Sequence, residues 1–354
     1  YYIALSFFGL YMRNDKKEYE SVNKFALIVA AHNEEVVISD MVKSLKEIDY
    51  PKELYDIYVI ADNCTDKTAE KARKSGAIVC ERFDKKNHGK GFAMEWMFRK
   101  LSTFKKKYDA VAIFDADNLV SHNFLTEMNK KLCEGYSVVQ GYLDSKNPED
   151  TWITGAYSIS FWTTNRMFQV ARNNLNLSAQ LGGTGCCIKT DVLRKLGWGA
   201  TCLTEDLEFS CKLVLNGSKV GFAHEAVVYD EKPLKLMQSW HQRKRWMQGF
   251  ADVSERYFFR LMKNAILKHD FKSFDCALYS IQPIQMILVT LVMIIGFIKN
   301  IVGFVNNILV FNMSTFLDKM DVNRVSILTV LLVLIAIFQF IYTPLILILE
   351  KKFN

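Results

Sequence analysis

The stretch AVAIFDADN, residues 110 to 118, ends a short apolar run in two aspartates one residue apart. Two ionised carboxylates this close repel each other, so the pair needs a cation, helix amides or solvent beside it. Two other apolar runs end in polar, acid-bearing stretches: KFALIVA (24 to 30) leads into AHNEE, and YDIYVIAD (55 to 62) into NCTD. In open α/β sheets, ligands bind beyond the carboxyl ends of the strands, which brings Asp62, Asp115 and Asp117 to one crevice. A divalent cation shared with a diphosphate can hold such carboxylates together. Any single one of these acids is equally well explained as a helix cap or, for Asp62 and Asp66, as a turn residue. Their recurrence at successive strand ends is what favours a site.

Two further groups carry chemistry. TEDLEF, residues 204 to 209, puts Glu205 and Asp206 in the first turn of a helix, where the dipole favours acids without any other role. A partly exposed carboxylate at a cleft also serves as a general base, and Asp206 is the preferred candidate of the two. In QRKRW, residues 242 to 246, Gln242 shares a helix face with Arg245 and Trp246, three and four positions on. The guanidinium offers paired hydrogen bonds to phosphate oxygens, and the indole offers a flat face to a sugar ring. The same pattern suits a basic amphipathic helix on a membrane surface, and one helix can do both.

These groups need a frame. From Lys24 the candidate strands fall at 24 to 30, 55 to 62, 77 to 82, 110 to 117 and 137 to 143, with helical segments between them. In the first of these helices Val37, Met41 and Leu45 recur every four residues, giving one apolar face toward the sheet. This alternation predicts a doubly wound, Rossmann-like α/β domain. After Asn147 it stops. An aromatic-rich stretch (151 to 175) follows, then a glycine-rich turn (182 to 185), a helix from about Glu205, a strand around 219 to 229 and a helix carrying SWHQRKRWMQG. Few breakers interrupt 150 to 250, so this region is expected to pack on the first sheet. Trp152, Tyr157, Phe161 and Trp162 read as core before they read as a glycan path. Cys186 and Cys187 read as packing, and His32, His88, His224 and His241 show no metal-ligand spacing.

Half of the 354 residues are hydrophobic, yet 23% are charged, and the two populations are segregated along the chain. Residues 281 to 298 and 325 to 349 are apolar stretches close to or above the ~20 residues that a membrane-spanning helix needs. The opening YYIALSFFGLY resembles the last turns of another such helix, and because the chain opens on Tyr, further sequence upstream is expected. The expected organisation is therefore a membrane-helix end at 1 to 12, the α/β domain at 20 to 235, interfacial helices at 236 to 275 and a membrane region at 277 to 349. Lysine clusters at 105 to 107 and 350 to 352, within a net charge of +7, place the polar body on the cytoplasmic side. Nucleic-acid binding is not indicated, since the lysines neither cluster on one helix nor interleave with aromatics. The eight cysteines form no C-x-x-C pair, so reduced thiols are expected.

The set AHNE, ADNCTD, HGKG, DAD, TED and QRKRW, in this order over residues 24 to about 250, resembles the inverting glycosyltransferases of family two. It is most similar to the membrane-bound branch of cellulose, chitin and hyaluronan synthases and exopolysaccharide enzymes. D-x-D is shared by many enzymes, whereas TED followed by Q-x-x-R-W is far more specific. The resemblance implies a GT-A type nucleotide-sugar domain with Ala31, Glu34 and Asp62 around the uridine. It implies that Asp115 and Asp117 hold the diphosphate through Mg2+ or Mn2+, with Lys90 near the same phosphates. Asp206, with Glu205 beside it, would be the base, and Gln242, Arg245 and Trp246 would bind the diphosphate and the acceptor end of the glycan. The GGTGCC turn, with Gly183, Thr184 and Gly185, occupies the place where related synthases hold the acceptor sugar, though its sequence departs from their usual patterns. The implied activity is processive extension of a polysaccharide at the cell membrane from a UDP-sugar, UDP-glucose first and UDP-N-acetylglucosamine second.

The chemistry agrees with this inventory. A sugar nucleotide carries its own leaving group, so displacement needs a base for the incoming hydroxyl and a cation for the departing charge. One displacement inverts the anomeric centre, and no second carboxylic acid is required. A sugar nucleotidyltransferase would carry a glycine-rich phosphate loop after the first strand, and AAHNEE is not one. An inactive nucleotide-sugar-binding scaffold is expected to lack a catalytic group, and the full set is present. Family relatives that export polymer use more membrane helices than are counted here, so a second copy, a secretion partner or further sequence at the N-terminus is expected to supply the rest.

Overall fold

A run such as FALIVAA is apolar at every position, which suits a strand only when both of its faces are covered. In the computed structural model, which describes residues 1–12, 17–199, 202–309 and 341–352, such runs form the centre of one sheet. Its eight strands among the described residues are β1 (Phe25–Ala31), β2 (Tyr55–Asp62), β3 (Ile78–Arg82), β4 (Ala110–Asp115), β5 (Leu119–Val120), β6 (Val138–Ser145), β7 (Cys186–Lys189) and β8 (Val220–Asp230). The spatial order is β3-β2-β1-β4-β7-β6-β8-β5. β3, β2, β1 and β4 are parallel, so the carboxyl ends of β1, β2 and β4 lie on one edge.

The expected α/β fold is present, as a mixed sheet. β7 runs antiparallel between β4 and β6, and β8 then pairs in parallel with β6. The second half of the chain thus completes the first sheet. β7 was not foreseen as a strand: it has four residues, begins with two cysteines and follows a glycine turn. Cys186 and Cys187 are buried in it, and all eight cysteines are free thiols.

The helices that accompany the sheet include α1 (Tyr2–Phe7), α2 (Ile38–Lys46), α3 (Thr68–Lys74), α4 (Lys90–Thr103), α5 (Phe124–Cys133), α6 (Trp152–Thr163), α7 (Ala171–Asn174) and α8 (Thr190–Leu196). A π-helical turn, Thr164–Val170, joins α6 to α7. In α2 the buried face is Ile38, Met41, Val42 and Leu45; Val37 precedes the helix. Tyr157 and Trp162 are buried as expected of core, whereas Trp152 is 74% exposed.

A smaller apolar cluster sets the position of α9 (Glu205–Leu215), α10 (Leu236–Lys268) and α11 (Phe271–Ser280). Leu207, Cys211 and Val214 of α9 pack there with Val253, Tyr257 and Leu261 of α10 and Cys276 and Ala277 of α11. Buried Glu208 adds polar ties, accepting from Lys212 Nζ at 2.9 Å and from the Tyr257 hydroxyl at 3.1 Å. α11 is held to the π turn and α7 region by a fully buried ion pair: Arg172 Nε donates to Asp275 Oδ2 at 2.7 Å and Nη2 to Oδ1 at 3.2 Å. The Tyr1 hydroxyl donates to the same carboxylate at 2.5 Å.

The chain divides at Ser280 into two units. The second contains α12 (Gln282–Leu309) and a helical segment at 341–349. Among the described residues α12 is the one helix long and apolar enough to cross a membrane, over Gln282–Lys299. Residues 325–340 of the other expected span lie outside the described residues.

Removing one partner of a buried ion pair leaves an uncompensated charge. Asp275→Ala is therefore expected to lower the unfolding free energy by about 3–5 kcal/mol. The double change Arg172→Met with Asp275→Leu is expected to recover most of that loss, as read by chemical denaturation.

Candidate active site

The loops after β1 and β2 are laced together before any ligand is considered. His32 Nδ1 lies 2.7 Å from Asp62 O. Asn33, in the left-handed region at φ 57°, accepts from Thr65 N–H at 2.8 Å. The Glu34 N–H donates to Thr68 Oγ1 at 2.8 Å, and the Glu35 N–H to Asp66 Oδ2 at 3.1 Å. Asp66 also accepts from the Thr68 hydroxyl at 2.6 Å, which makes it a turn residue ahead of α3. Ala31 is buried at the end of β1, and Glu34 stands half-buried beside it.

Asp62 does not simply face an open crevice. Its carboxylate is buried and accepts from Arg82 Nη1 at 2.6 Å and from Asn63 Nδ2 at 3.0 Å. Asp62 and Arg82 are direct neighbours in the β2–β3 register. The same guanidinium reaches Asp84 Oδ2 at 3.0 Å and Asn87 O at 2.8 Å, and so ties Asp62 to the segment that leads into Lys90.

Lys90 opens α4 and crosses to the neighbouring strand end. Its ammonium donates to Asp115 Oδ1 at 2.5 Å and to Gly183 O at 2.7 Å. Burial works against its charge, but the Asp115 and Glu205 carboxylates outweigh it and hold the pKa above the usual lysine range. Thr184 adds a second link. Its hydroxyl accepts from the Asp115 N–H at 3.1 Å and donates to Asn118 Oδ1 at 2.5 Å. Gln140 of β6 fixes the other side of the turn: Nε2 donates to Thr184 O at 2.9 Å, and Oε1 accepts from Gly182 N–H at 2.9 Å. Gly183 and Gly185 have φ of 78° and 61°, where a side chain is strained. At Gly185 a Cβ would stand 2.8 Å from Val228 Cγ2.

Asp206 meets the same turn. Its Oδ2 lies 3.4 Å from where a Cβ on Gly183 would stand, and its Oδ1 accepts from the Leu207 N–H at 2.8 Å. Burial, then the adjacent Glu205 carboxylate, push the Asp206 pKa up to about 7. α10 comes close to this segment through Gly249, where a Cβ would fall 2.4 Å from Thr204 Cγ2. Gln242, half-buried, has a buried amide oxygen without a hydrogen bond. Arg245 is exposed, with no ion pair among the described residues. The Trp246 ring packs 6.4 Å from that of Tyr157. Among the described residues these three form no hydrogen bond or ion pair with Asp115, Lys90 or Asp206; α10, which carries them, packs on α9 through the apolar cluster and the Gly249–Thr204 approach.

Asp117 carries the cost of crowding. Burial, followed by the Asp230, Asp115 and Glu34 carboxylates, pushes its pKa up to about 7. Among the described residues no three His, Cys, Asp or Glu side chains are grouped closely enough to hold a metal alone. Mg2+, however, is commonly held by one or two carboxylates with substrate phosphates supplying further oxygens. Asp115 and Asp117 are such a pair, and a cation held there would relieve the repulsion that adds to burial in raising Asp117. The residues therefore fit a metal shared with a diphosphate.

Sequence reasoning missed Arg82, Asn118, Gln140 and Asp230. Arg82 had a readable signal, since AIVCER ends in a cation where the adjacent strand ends in Asp62. Asn118 and Gln140 act through backbone groups of the distant 182–185 turn, a partnership that no local pattern announces.

A family model described as "Glycosyltransferase like family 2" matches residues 23–249. The beta-monoglucosyldiacylglycerol synthase of Nostoc sp. is 27% identical over 266 residues, 71% of this chain and 54% of that protein. The poly-beta-1,6-N-acetyl-D-glucosamine synthase of Staphylococcus epidermidis is 24% identical over 263 residues, 70% of this chain and 60% of that protein. The chain thus spans between half and two thirds of the length of these two relatives. Among solved structures, the mannosyltransferase PcManGT from Pyrobaculum calidifontis, in complex with GDP-Man and Mn2+, shares the fold. Its TM-score is 0.54 at 17% identity, covering 82% of this chain and 85% of that one.

A carboxyl group with a raised native pKa keeps, between about pH 4 and 7, a proton that the unfolded chain gives up. The stability contributed by Asp206 therefore falls as pH rises through that window. Asp206→Asn is expected to melt above the parent at pH 8 and close to it at pH 4, by thermal unfolding. An equal difference at both pH values would contradict the raised pKa.

Proposed function

Because the chain belongs to glycosyltransferase family 2, we propose that it transfers a hexosyl group from a UDP-sugar to the end of a growing glycan, with inversion at the anomeric carbon. The first choice is UDP-glucose and a β-1,4 or mixed 1,3 and 1,4 glucan, built processively. UDP-N-acetylglucosamine polymerisation and single-sugar transfer are the alternatives. One relative is named for a glucosyl lipid and another for an N-acetylglucosamine polymer, so both donors stay in the test. α12 serves as a membrane anchor, with the sheet unit on the cytoplasmic side.

The observation that carries this reading is the meeting of Lys90, Asp115, Gly183 and Asp206, drawn from four separate stretches of sequence, at one lip of the sheet. In the proposed reaction the acceptor hydroxyl approaches over the Gly183 turn. Its oxygen bonds to the anomeric carbon as the bond to the diphosphate breaks, and its proton passes to Asp206. A base with a pKa near 7 is substantially ionised at neutral pH, yet basic enough to take the proton. The Lys90 ammonium sits where charge develops on the diphosphate. A divalent cation held by Asp115 and Asp117 would stabilise the departing diphosphate charge. Glu34 and the buried Asp62–Arg82 pair shape the nucleoside end. Gln242 and Arg245 supply an amide and a guanidinium to the diphosphate, and Trp246, backed by Tyr157, supplies a ring face to the acceptor sugar.

The test is incubation of purified protein with Mn2+ or Mg2+ and a panel of UDP-sugars, reading UDP release and the linkage and anomeric configuration of the product. A β-linked product from an α-linked donor is expected. Turnover is expected to rise with pH through about 7, and Asp206→Asn to lose about 10²–10⁴-fold in rate while still binding UDP. Undiminished turnover in that variant would show the base to be another group.

A further inference from the structure

Lys90 occupies an unusual position. Among the described residues it is the one lysine or arginine whose side chain pairs with either carboxylate of the D-A-D sequence. It does so while also bonding the Gly183 carbonyl. Its side chain is three-quarters covered, and it starts from the first turn of α4, just after Gly89 at φ 107°. Asp115 is thus neutralised from within the protein, whereas among the described residues Asp117 and its acidic neighbours Asp230 and Glu34 have no cation paired at their own carboxylates except in the Lys232–Asp230 pair.

We propose that Lys90 is a built-in counter-ion for the strand-end carboxylates in the nucleotide-free protein, one that competes with a divalent cation for Asp115 until a diphosphate arrives. The inference rests on the functional reading above and deepens it. An ammonium paired with the Asp115 carboxylate and a divalent cation held by the same carboxylate would repel each other. A diphosphate changes the sign of that relation, because its oxygens accept from the ammonium and ligate the cation at once. Lysine can make the exchange because its charge rides on a flexible four-carbon stem. Metal alone then binds weakly, and nucleotide and metal each tighten the other by the same factor, as linkage requires.

The consequence is a split in sign that a structural role for Lys90 does not produce. Mn2+ binding can be followed by the paramagnetic resonance signal of the free ion, and UDP binding by calorimetry, on the full chain. Lys90→Met is expected to bind Mn2+ alone about tenfold more tightly, to bind UDP alone (with EDTA present) about tenfold more weakly, and to lose most of the mutual tightening. Lys90→Arg, which keeps the charge, is expected to bind Mn2+ alone as weakly as the parent. Unchanged or weakened Mn2+ binding in Lys90→Met would overturn the proposal. If that variant does not fold, Lys90→Gln takes its place in the same Mn2+ measurement, where tighter Mn2+ binding supports the proposal and unchanged or weaker binding overturns it. A parent chain that binds no UDP defeats the functional reading alone, since the Mn2+ arm needs no nucleotide.

Discussion

The structure turns on negative charge gathered at one edge of a sheet. Three parallel strands run out within a few ångströms of one another, and the chain places acids at or just beyond their ends. Each acid meets a different fate. Asp62 is buried against Arg82 on the adjacent strand, Asp115 is held by Lys90 from the preceding helix, and half-buried Asp117 is left to crowd against Asp230 and Glu34. A gradient results, from a closed ion pair at the β2–β3 side to a carboxylate at the β6–β8 side that, among the described residues, accepts from Asn118 Nδ2 but pairs with no cation. A metal and a diphosphate suit the open end of that gradient, where added positive charge relieves a strain already present.

The antiparallel insertion of β7 brings the second half of the site to this edge. With β7 seated between β4 and β6, the glycine turn before it emerges beside Asp115 and below Asp206. Backbone conformation and close approach are the reasons for glycine here: both Gly183 and Gly185 have positive φ, and the Val228 side chain stands where a side chain on Gly185 would go. The turn has little freedom, since Gln140, Thr184 and Lys90 each bind its backbone or its neighbours. In the proposed reaction, a rigid turn next to a raised-pKa carboxylate would hold an incoming hydroxyl at low entropic cost.

The outer helices transmit position to the site. The α9–α11 cluster, buried Glu208 and the Arg172–Asp275 pair lock α9 in place, and α9 carries Asp206 at its first turn. Gly249 lets α10 approach Thr204, so the stretch bearing Gln242, Arg245 and Trp246 is set by the same packing. Tyr157 reinforces it from α6, accepting from Ser239 at 3.0 Å and Arg243 at 3.1 Å.

Much of this was legible in the sequence. Apolar periodicity gave β1, β2, β4 and the face of α2, because burial on both sides of a strand or one side of a helix leaves a local pattern. The acids of D-A-D and T-E-D were visible as types in revealing places. Hidden were the strand β7, too short and too unlike a strand in composition, and the true surroundings of Asp62, which depend on Arg82 twenty residues away. The exposure of Trp152 was hidden too, since an aromatic inside a mixed apolar run carries no mark of which way it faces. The sequence by itself determined which chemical groups the chain owns and that a layered α/β frame would present some of them at strand ends. Only the tertiary structure decided which acid is neutralised by which cation, because hydrogen bonds and ion pairs fall off within a few ångströms, and distances of that kind between remote segments exist only after the chain has packed.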